Sequence, residues 1–125
     1  KRTEKWLQLL DHELVDLAAA ADLANLAHYC VVHNGLTRGQ MAAQIVHAAG
    51  ESSPGELPEG TIAVALSATP QQLYQLEQRL IKDKIPHKAI REPDEPWHGA
   101  LVAIGVCPDR KENLRKYFSQ LPLVR

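Results

Sequence analysis

The sequence lacks the features of a secreted or membrane-spanning protein. It has two cysteines, Cys30 and Cys107, in 125 residues. Two cysteines cannot build a disulfide framework, so we expect a reduced, cytoplasmic protein whose thiols lie in or near the core. No apolar run approaches the roughly 20 residues that span a bilayer. The apolar run at residues 6–10 is also too short for a secretory signal.

Neither sign of charge is in clear excess, because the sequence has 14 Lys and Arg and 15 Asp and Glu. A net charge of −1 indicates neither a bulk nucleic-acid binder nor a membrane binder, although it can hide a local basic patch. With 45% hydrophobic residues, the chain has enough apolar material for one globular domain with a core. The chain begins at Lys1 rather than at Met, which leaves room for an upstream segment.

Hydrophobic periodicity divides the chain into two parts. In residues 1–27, Trp6, Leu10 and Leu14 have helical spacing, which predicts an appended amphipathic helix with an acidic balance. In residues 28–125, strands and helices alternate in the order β-α-β-α-β-β-α. This order predicts an α/β three-layer sandwich whose four-stranded mixed sheet is flanked by helices.

Local sequence signals predict where the helices of this second part begin. Thr37 and Gln40 have the spacing of a capping box, and Thr69 before Pro70 is typical of another helix start. The predicted strands are residues 29–32, 61–66, 86–90 and 100–106, and the helix cores include residues 41–49, 70–81 and 109–118. Four residues form the predicted core face of the second of these helices, namely Leu73, Leu76, Leu80 and Ile81.

The helix after Thr37 carries the densest group of candidate functional residues. Gln40, Gln44 and His47 fall within one polar stripe, whereas Val46 lies on the predicted apolar side. A solvated helix face is the alternative explanation of such a stripe.

The start of the same helix suits an anion. Free amides at a helix N-terminus, with Arg38 beside them, are typical of a phosphate or oxyanion site. Gly39 lets another molecule approach the backbone closely. The preceding strand delivers His33 and Asn34 to the same cleft, beyond the carboxyl end of the strand.

Other reaction classes have no support in the sequence. It contains no P-loop, no G-x-G-x-x-G and no G-x-S-x-G motif. The histidines and cysteines lack the spacing of a zinc site. We therefore expect neither a metal nor a cofactor.

Three stretches carry a family resemblance, namely VVHN at residues 31–34, RGQMAAQ at 38–44 and HAA at 47–49. They resemble the start of type 2 peptidyl-tRNA hydrolases, in which the first helix reads A-A-Q-x-x-H-A-A. The resemblance covers about residues 28–125 and leaves the N-terminal helix outside it. It implies an α/β fold, a cytoplasmic role, and hydrolysis of the ester between a peptide and tRNA without a metal.

Two departures place the sequence nearer to a divergent branch, the peptidyl-tRNA hydrolase domain-containing proteins. The family lysine that precedes the A-A-Q stretch is replaced here by Gln40, and Arg38 is the candidate substitute cation. The family loop with an aspartate and a threonine is shorter here, over residues 90–96, and has no threonine. Glu92 or Asp94 would supply the acid.

The resemblance implies roles for these residues in hydrolysis of peptidyl-tRNA or an N-blocked aminoacyl-tRNA. Glu92 or Asp94 would act as the base or orient the water. Gln44 and the helix amides would hold the substrate oxygens, and Arg38 would neutralise a phosphate or the developing charge. His47 would be a supporting hydrogen-bond partner.

Further residues are candidates for substrate binding. His33, Asn34, Gly39 and Gln40 would line the cleft. Four basic residues, with the last helix, would hold the tRNA backbone, namely Arg79, Lys82, Lys88 and Arg91.

The alternative function is a non-catalytic module that keeps the fold and binds tRNA or a protein partner. The N-terminal helix also allows two interpretations. It would make a homodimer if its apolar face packs on a second copy, and an autoinhibitory lid if it covers the cleft near Gln44.

Overall fold

The computed structural model describes residues 25–125. Most of the predicted N-terminal helix, with the homodimer contact and the lid that depend on it, therefore lies outside the described residues. Leu26 and Ala27, which the prediction included in that helix, are instead the first residues of a strand. They belong to the sheet because both pair with neighbouring strands.

The predicted α/β class and the order of its elements are confirmed, with one additional strand. The elements are β1 (Leu26–His33), α1 (Arg38–Ser52), β2 (Ile62–Ala68), α2 (Pro70–Lys82), β3 (His87–Glu92), β4 (Ala100–Val106), β5 (Asp109–Arg110) and α3 (Lys111–Phe118). The sheet of the described residues has five strands rather than four, because the two-residue β5 pairs with the start of β1.

The sheet is mixed, with the order β2-β1-β4-β3. Strand β1 is parallel to β2, whereas β4 is antiparallel to both β1 and β3. Strands β1, β2 and β3 therefore end at the same edge of the sheet. The C-terminal tail covers part of the outer edge of β2, where Ser67 donates its amide to Pro122 and Val124 donates to Ala65. Covering an edge in this way protects it from pairing with other chains.

Helices cover both faces of the sheet and give three layers. Helix α1 packs on one face, where Ala48 meets Val32 and Ala103. Helices α2 and α3 pack on the other, around a second core. The largest fully buried side chains of that second core are Val31, Leu73, Leu80, Ile104, Val106 and Leu114. None of the helices within residues 25–125 is long and apolar enough to cross a membrane.

Two of the three predicted helix starts are confirmed, and both carry reciprocal caps. The third helix begins at Lys111 rather than at Asp109, because Asp109 and Arg110 pair with β1 as strand β5. Thr37 Oγ1 accepts from the Gln40 amide at 3.2 Å, while Gln40 Oε1 accepts from the Thr37 amide at 2.9 Å. Thr69 and Gln72 form the same arrangement at the start of α2. Each box satisfies two amides that the helix itself leaves without partners.

The prediction of the buried faces was wrong at two positions. Val46 is 70% exposed and Ile81 is 54% exposed, although both were assigned to apolar core faces. In α2 the buried position falls on Glu77, which forms a 2.9 Å ion pair with Arg91 of β3. A buried carboxylate is tolerated because this partner compensates its charge. Periodicity cannot anticipate such a pair, since the cation lies 14 residues away.

Gly105 permits the close contact between α1 and the sheet. A Cβ atom built on Gly105 would overlap the carbonyl oxygen of Ala48 and lie 2.5 Å from Ser52 Oγ. Both atoms are fixed, because Ala48 and Ser52 are fully buried in the last turns of α1. Only glycine therefore fits at this point of β4.

We predict that Gly105→Ala lowers the free energy of unfolding by about 1–3 kcal/mol, because α1 must move to admit the methyl group. Urea denaturation measures the change. Gly50→Ala is the matched control, since a Cβ on this exposed helical glycine meets no atom within 4 Å. The control should gain stability through its better helix propensity. Equal stability of Gly105→Ala and the parent protein would contradict the argument.

Candidate functional site

An open cavity of about 300 Å³ lies between the first half of α1 and the segment after β3. Its position follows from the strand directions, since α1 begins, and β3 ends, at the same edge of the sheet. Carboxyl ends of parallel strands are the usual place for such clefts. The cavity is lined by Leu36, Gln40, Ala43, Gln44, Glu92, Asp94, Glu95, Pro96 and Trp97.

Within residues 25–125, Gln44 and Glu92 form the only hydrogen-bonded side-chain pair that joins the two walls of this cavity. Gln44 Nε2 donates to Glu92 Oε1 at 3.2 Å. The other carboxylate oxygen, Oε2, accepts from the Asp94 amide at 3.3 Å. Gln44 Oε1 is buried and has no hydrogen-bond partner among the described residues. Two directional contacts thus orient the Glu92 carboxylate, and each of its oxygens keeps a lone pair for another donor.

Strand alternation explains why Glu92 faces α1. Successive side chains of a strand point to opposite faces, and Arg91 points to Glu77 of α2. Glu92 therefore points to the α1 side and reaches Gln44. Asp94, the other candidate acid, also lines the cavity, but its side chain is exposed and makes no hydrogen bond within residues 25–125.

His33 supports the Trp97 wall of the cavity rather than lining the cavity itself. Its ring meets the Trp97 ring edge-on, with 4.9 Å between centroids. His33 Nδ1 accepts from the Gly35 amide at 2.8 Å, so the proton of the neutral ring is on Nε2. Burial lowers the pKa of His33, which favours this neutral form. Gly35 must stay a glycine, because a Cβ there would lie 2.8 Å from the His33 ring.

The charge of the cavity is negative. Glu92, Asp94 and Glu95 line it, whereas none of the described Lys, Arg or His side chains does. Such a cavity suits a neutral ester or a cationic group and repels a phosphate.

The start of α1 offers backbone donors beside this cavity. The amides of Thr37 and Gln40 are used by the capping box. Those of Arg38 and Gly39 have no acceptor among the described residues. Arg38 is exposed at the first position of the helix and does not line the cavity.

The remaining predicted site residues lie outside the cavity. His47 is exposed and makes no hydrogen bond within residues 25–125. Asn34 is exposed, and its backbone amide donates to Ala68. The four predicted basic residues do not share one face. Arg79 and Lys82 lie on α2, Arg91 faces α2, and Lys88 belongs to the α1 side because it pairs with Gly105.

The sequence did not single out Trp97 or Glu95 in the cavity, nor the pair of His28 and Ser52 at the other end of α1. Ser52 Oγ donates to the Ala48 carbonyl at 2.6 Å, so it accepts from His28 Nε2 at 2.7 Å. This chain of bonds fixes the last turn of α1 to β1. No local sequence signal links two residues that lie 24 positions apart.

The two cysteines are buried, as predicted. Burial raises the pKa of Cys30 to about 11, so this thiol stays protonated at neutral pH. In the described part of the chain, no group of three or more His, Cys, Asp or Glu side chains is placed to hold a metal ion.

Comparisons with known proteins identify the fold but no family. No family model matches the sequence, and no curated protein matches it. Among solved structures, the chain is similar to Atu0240, a protein of unknown function from Agrobacterium tumefaciens. The TM-score is 0.56 at 13% identity, over 81% of this chain and 98% of that chain. At this identity the similarity concerns the fold alone.

We predict that His28 makes the stability depend on pH. Burial lowers the pKa of His28, so on acidification below about 6.5 the unfolded chain takes up this proton before the folded protein does. Stability is therefore full above this pH and falls as the pH is lowered towards 5.

Urea denaturation between pH 5 and pH 7.5 measures this dependence. His28→Gln should show a shallower slope of unfolding free energy against pH. Protonation of His33 changes the unfolding free energy of both proteins equally, so it does not affect the difference between their slopes. Identical slopes would rule out His28 as the source.

Proposed function

We propose that this protein hydrolyses the ester bond of peptidyl-tRNA, or of an N-blocked aminoacyl-tRNA, and releases free tRNA and the peptide. The supporting observation is the Gln44–Glu92 pair on the walls of an open cavity of about 300 Å³. Ester hydrolysis requires a positioned water, a base for its proton, and donors for the oxyanion. Such a substrate belongs in the cytoplasm.

Glu92 is the better candidate for the base, because Gln44 and the Asp94 amide hold its carboxylate in place. It would orient a water molecule and accept its proton as the oxygen attacks the ester carbonyl carbon. The tetrahedral intermediate then collapses. The bond to the ribose oxygen breaks, and the proton on Glu92 passes to that leaving oxygen. No metal takes part in these steps.

Donors for the oxyanion are available on α1. The Gln44 amide nitrogen carries two hydrogens, of which one is used by Glu92. The other, together with the free amides of Arg38 and Gly39, can stabilise charge that develops on the carbonyl oxygen. A neutral ester enters a carboxylate-lined cavity without charge repulsion, which is consistent with this substrate class.

The resemblance to type 2 peptidyl-tRNA hydrolases supports the same residues. The helix stretch A-A-Q-x-x-H-A-A places its glutamine at Gln44, which contacts Glu92, and its histidine at His47. At the family's lysine position, Gln40 uses its side-chain oxygen for the capping box. Arg38 would then provide the positive charge.

One observation favours the second candidate, a binding module without catalysis. The cavity contains three carboxylates and, among the described residues, no cation in its lining. An anionic intermediate is less stable in such surroundings unless Arg38 reaches it. A folded protein that binds tRNA without cleaving the ester would support this alternative.

We predict that Gln44→Ala and Glu92→Gln each lower the rate of hydrolysis of a labelled N-acetyl-aminoacyl-tRNA by about 100-fold or more, because they remove a donor and the base. Gln71→Ala and Glu59→Gln are matched controls, since both are exposed residues away from the cavity. Thermal unfolding verifies that the variants remain folded. Unchanged turnover in Glu92→Gln would contradict its role as base.

We predict that Arg38→Ala lowers kcat/KM for the same substrate by about tenfold or more, because it removes the cation nearest the helix start. Arg38→Lys keeps the charge and should restore most of the activity. Normal turnover in Arg38→Ala would refute this role. The exposed position of Arg38 makes loss of folding an unsuitable explanation for a lowered rate.

A further inference from the structure

We propose that a groove between α2 and α3 binds phosphate groups of the tRNA backbone. The groove has a volume of about 220 Å³ and lies on the face of the sheet opposite α1. The inference rests on the proposed function, which supplies the polyanion. The groove is lined by Gln72, Gln75, Leu76, Arg79, Lys116, Tyr117, Gln120 and Leu121.

Two cations converge on one aromatic ring in this groove. The guanidinium carbon of Arg79 lies 4.8 Å from the centroid of the Tyr117 ring. Lys116 Nζ lies 5.3 Å from the same centroid. Neither cation forms an ion pair with a described carboxylate, and Arg79 donates only one long hydrogen bond, of 3.5 Å, to the Lys116 carbonyl. Two neighbouring charges without a counterion attract an anion.

The Tyr117 ring, against which both cations lie, is held in place by its neighbours. Tyr117 donates its hydroxyl hydrogen to Asp83 Oδ2 at 2.6 Å, and its ring packs edge-on against Phe118. Burial and the contact with Asp83 raise the pKa of Tyr117, so its hydroxyl stays protonated. Asp83 is engaged at the hydroxyl end of the ring and does not line the groove. The aromatic ring of this site is therefore held in place within the protein itself.

Amide groups complete the lining. Gln72 uses its side-chain oxygen for the α2 capping box. Gln75 and Gln120 make no side-chain hydrogen bond within residues 25–125, so both amides are available to a ligand. Arginine, lysine and amide side chains are the groups that commonly contact backbone phosphates. The apolar lining is limited to Leu76 and Leu121 and the Tyr117 ring.

The groove can act together with the Gln44–Glu92 cavity. Strands β1 and β2 are parallel, so α1 and α2 both begin at the edge of the sheet where the cavity lies. Gln72, in the first turn of α2, brings the groove to that same edge. An extended polyanion passing this edge could place its ester in the carboxylate-lined cavity and a phosphate in the basic groove.

The test measures binding of deacylated tRNA to the full chain, which needs no catalysis. We compare Arg79→Gln/Lys116→Gln with Lys84→Gln/Arg125→Gln, a pair of exposed cations outside the groove and outside the last helix that removes the same charge. In the groove pair, glutamine keeps the helix propensity of Arg79 in α2 and of Lys116 in α3. The groove pair should weaken binding about tenfold. It should also reduce the slope of log affinity against log salt by about 1 to 2.

Each outcome decides the inference. A marked loss in the groove pair alone supports it, whereas equal losses in both pairs would mean diffuse charge and overturn it. No detectable binding of tRNA by the parent chain at low salt also overturns it. If poly-glutamate of equal charge competes as well as tRNA does, the groove takes acidic peptides instead of phosphates.

Hydrolysis separates this inference from the proposed function. In the groove pair, KM for peptidyl-tRNA should rise about tenfold while kcat is retained. An N-acetyl-aminoacyl-adenosine, which lacks the tRNA body, should be cleaved equally by the groove pair and the parent chain. If Glu92→Gln loses hydrolysis while the groove pair binds tRNA as the parent chain does, the proposed enzyme activity is supported. The same result would refute phosphate binding by the groove.

Discussion

Helix α1 can place Gln44 beside Glu92 because Gly105 lets it lie directly against strand β4. A methyl group at this position would meet the Ala48 carbonyl, which is backbone and cannot rotate away. At the same turn of the helix, the chain of bonds from His28 through Ser52 to Ala48 fixes α1 to β1. The last turn of the helix is therefore held against two buried strands, β4 and β1, and Gln44 reaches β3 from a position set by this packing. A change at Gly105, remote from the cavity, would shift the amide that orients the carboxylate.

Strand alternation then separates the charges of the domain. Arg91 and Glu92 are neighbours in sequence, but one pairs with Glu77 under α2 and the other meets Gln44 under α1. Three carboxylates consequently line the cavity on one face. On the other face, two cations that form no ion pair within residues 25–125 lie against Tyr117. A net charge of −1 averages over both and conceals them. Local field, rather than total charge, determines which groups each face can bind.

The elements that local chemistry specifies were predictable from the sequence, and those set by tertiary contacts were not. Two helix starts were predictable because capping contacts act over three or four residues. They are the starts marked by Thr37 with Gln40 and by Thr69 with Pro70. The choice between Glu92 and Asp94 depends instead on which side of β3 faces α1. The exposure of Val46 depends on which side of α1 packs on the sheet. Strand β5 has two residues, too few for any periodicity. Of the candidate site, the helix residues were therefore predictable, and the opposing Trp97 wall and the α2–α3 groove were not.

Position 40 shows how stability and chemistry compete for one side chain. Gln40 completes the capping box because its amide oxygen accepts from the Thr37 amide. A lysine, which the resembling family has at this position, carries donors only and cannot accept that hydrogen bond. The helix start thus has a second satisfied amide, and no cation among the described residues lines the cavity. In the proposed reaction, the candidate for positive charge is Arg38, two residues earlier, whose side chain takes no part in the cap. A cation outside the cavity and carboxylates inside it then favour a neutral ester in the cavity and leave phosphate binding to other surfaces.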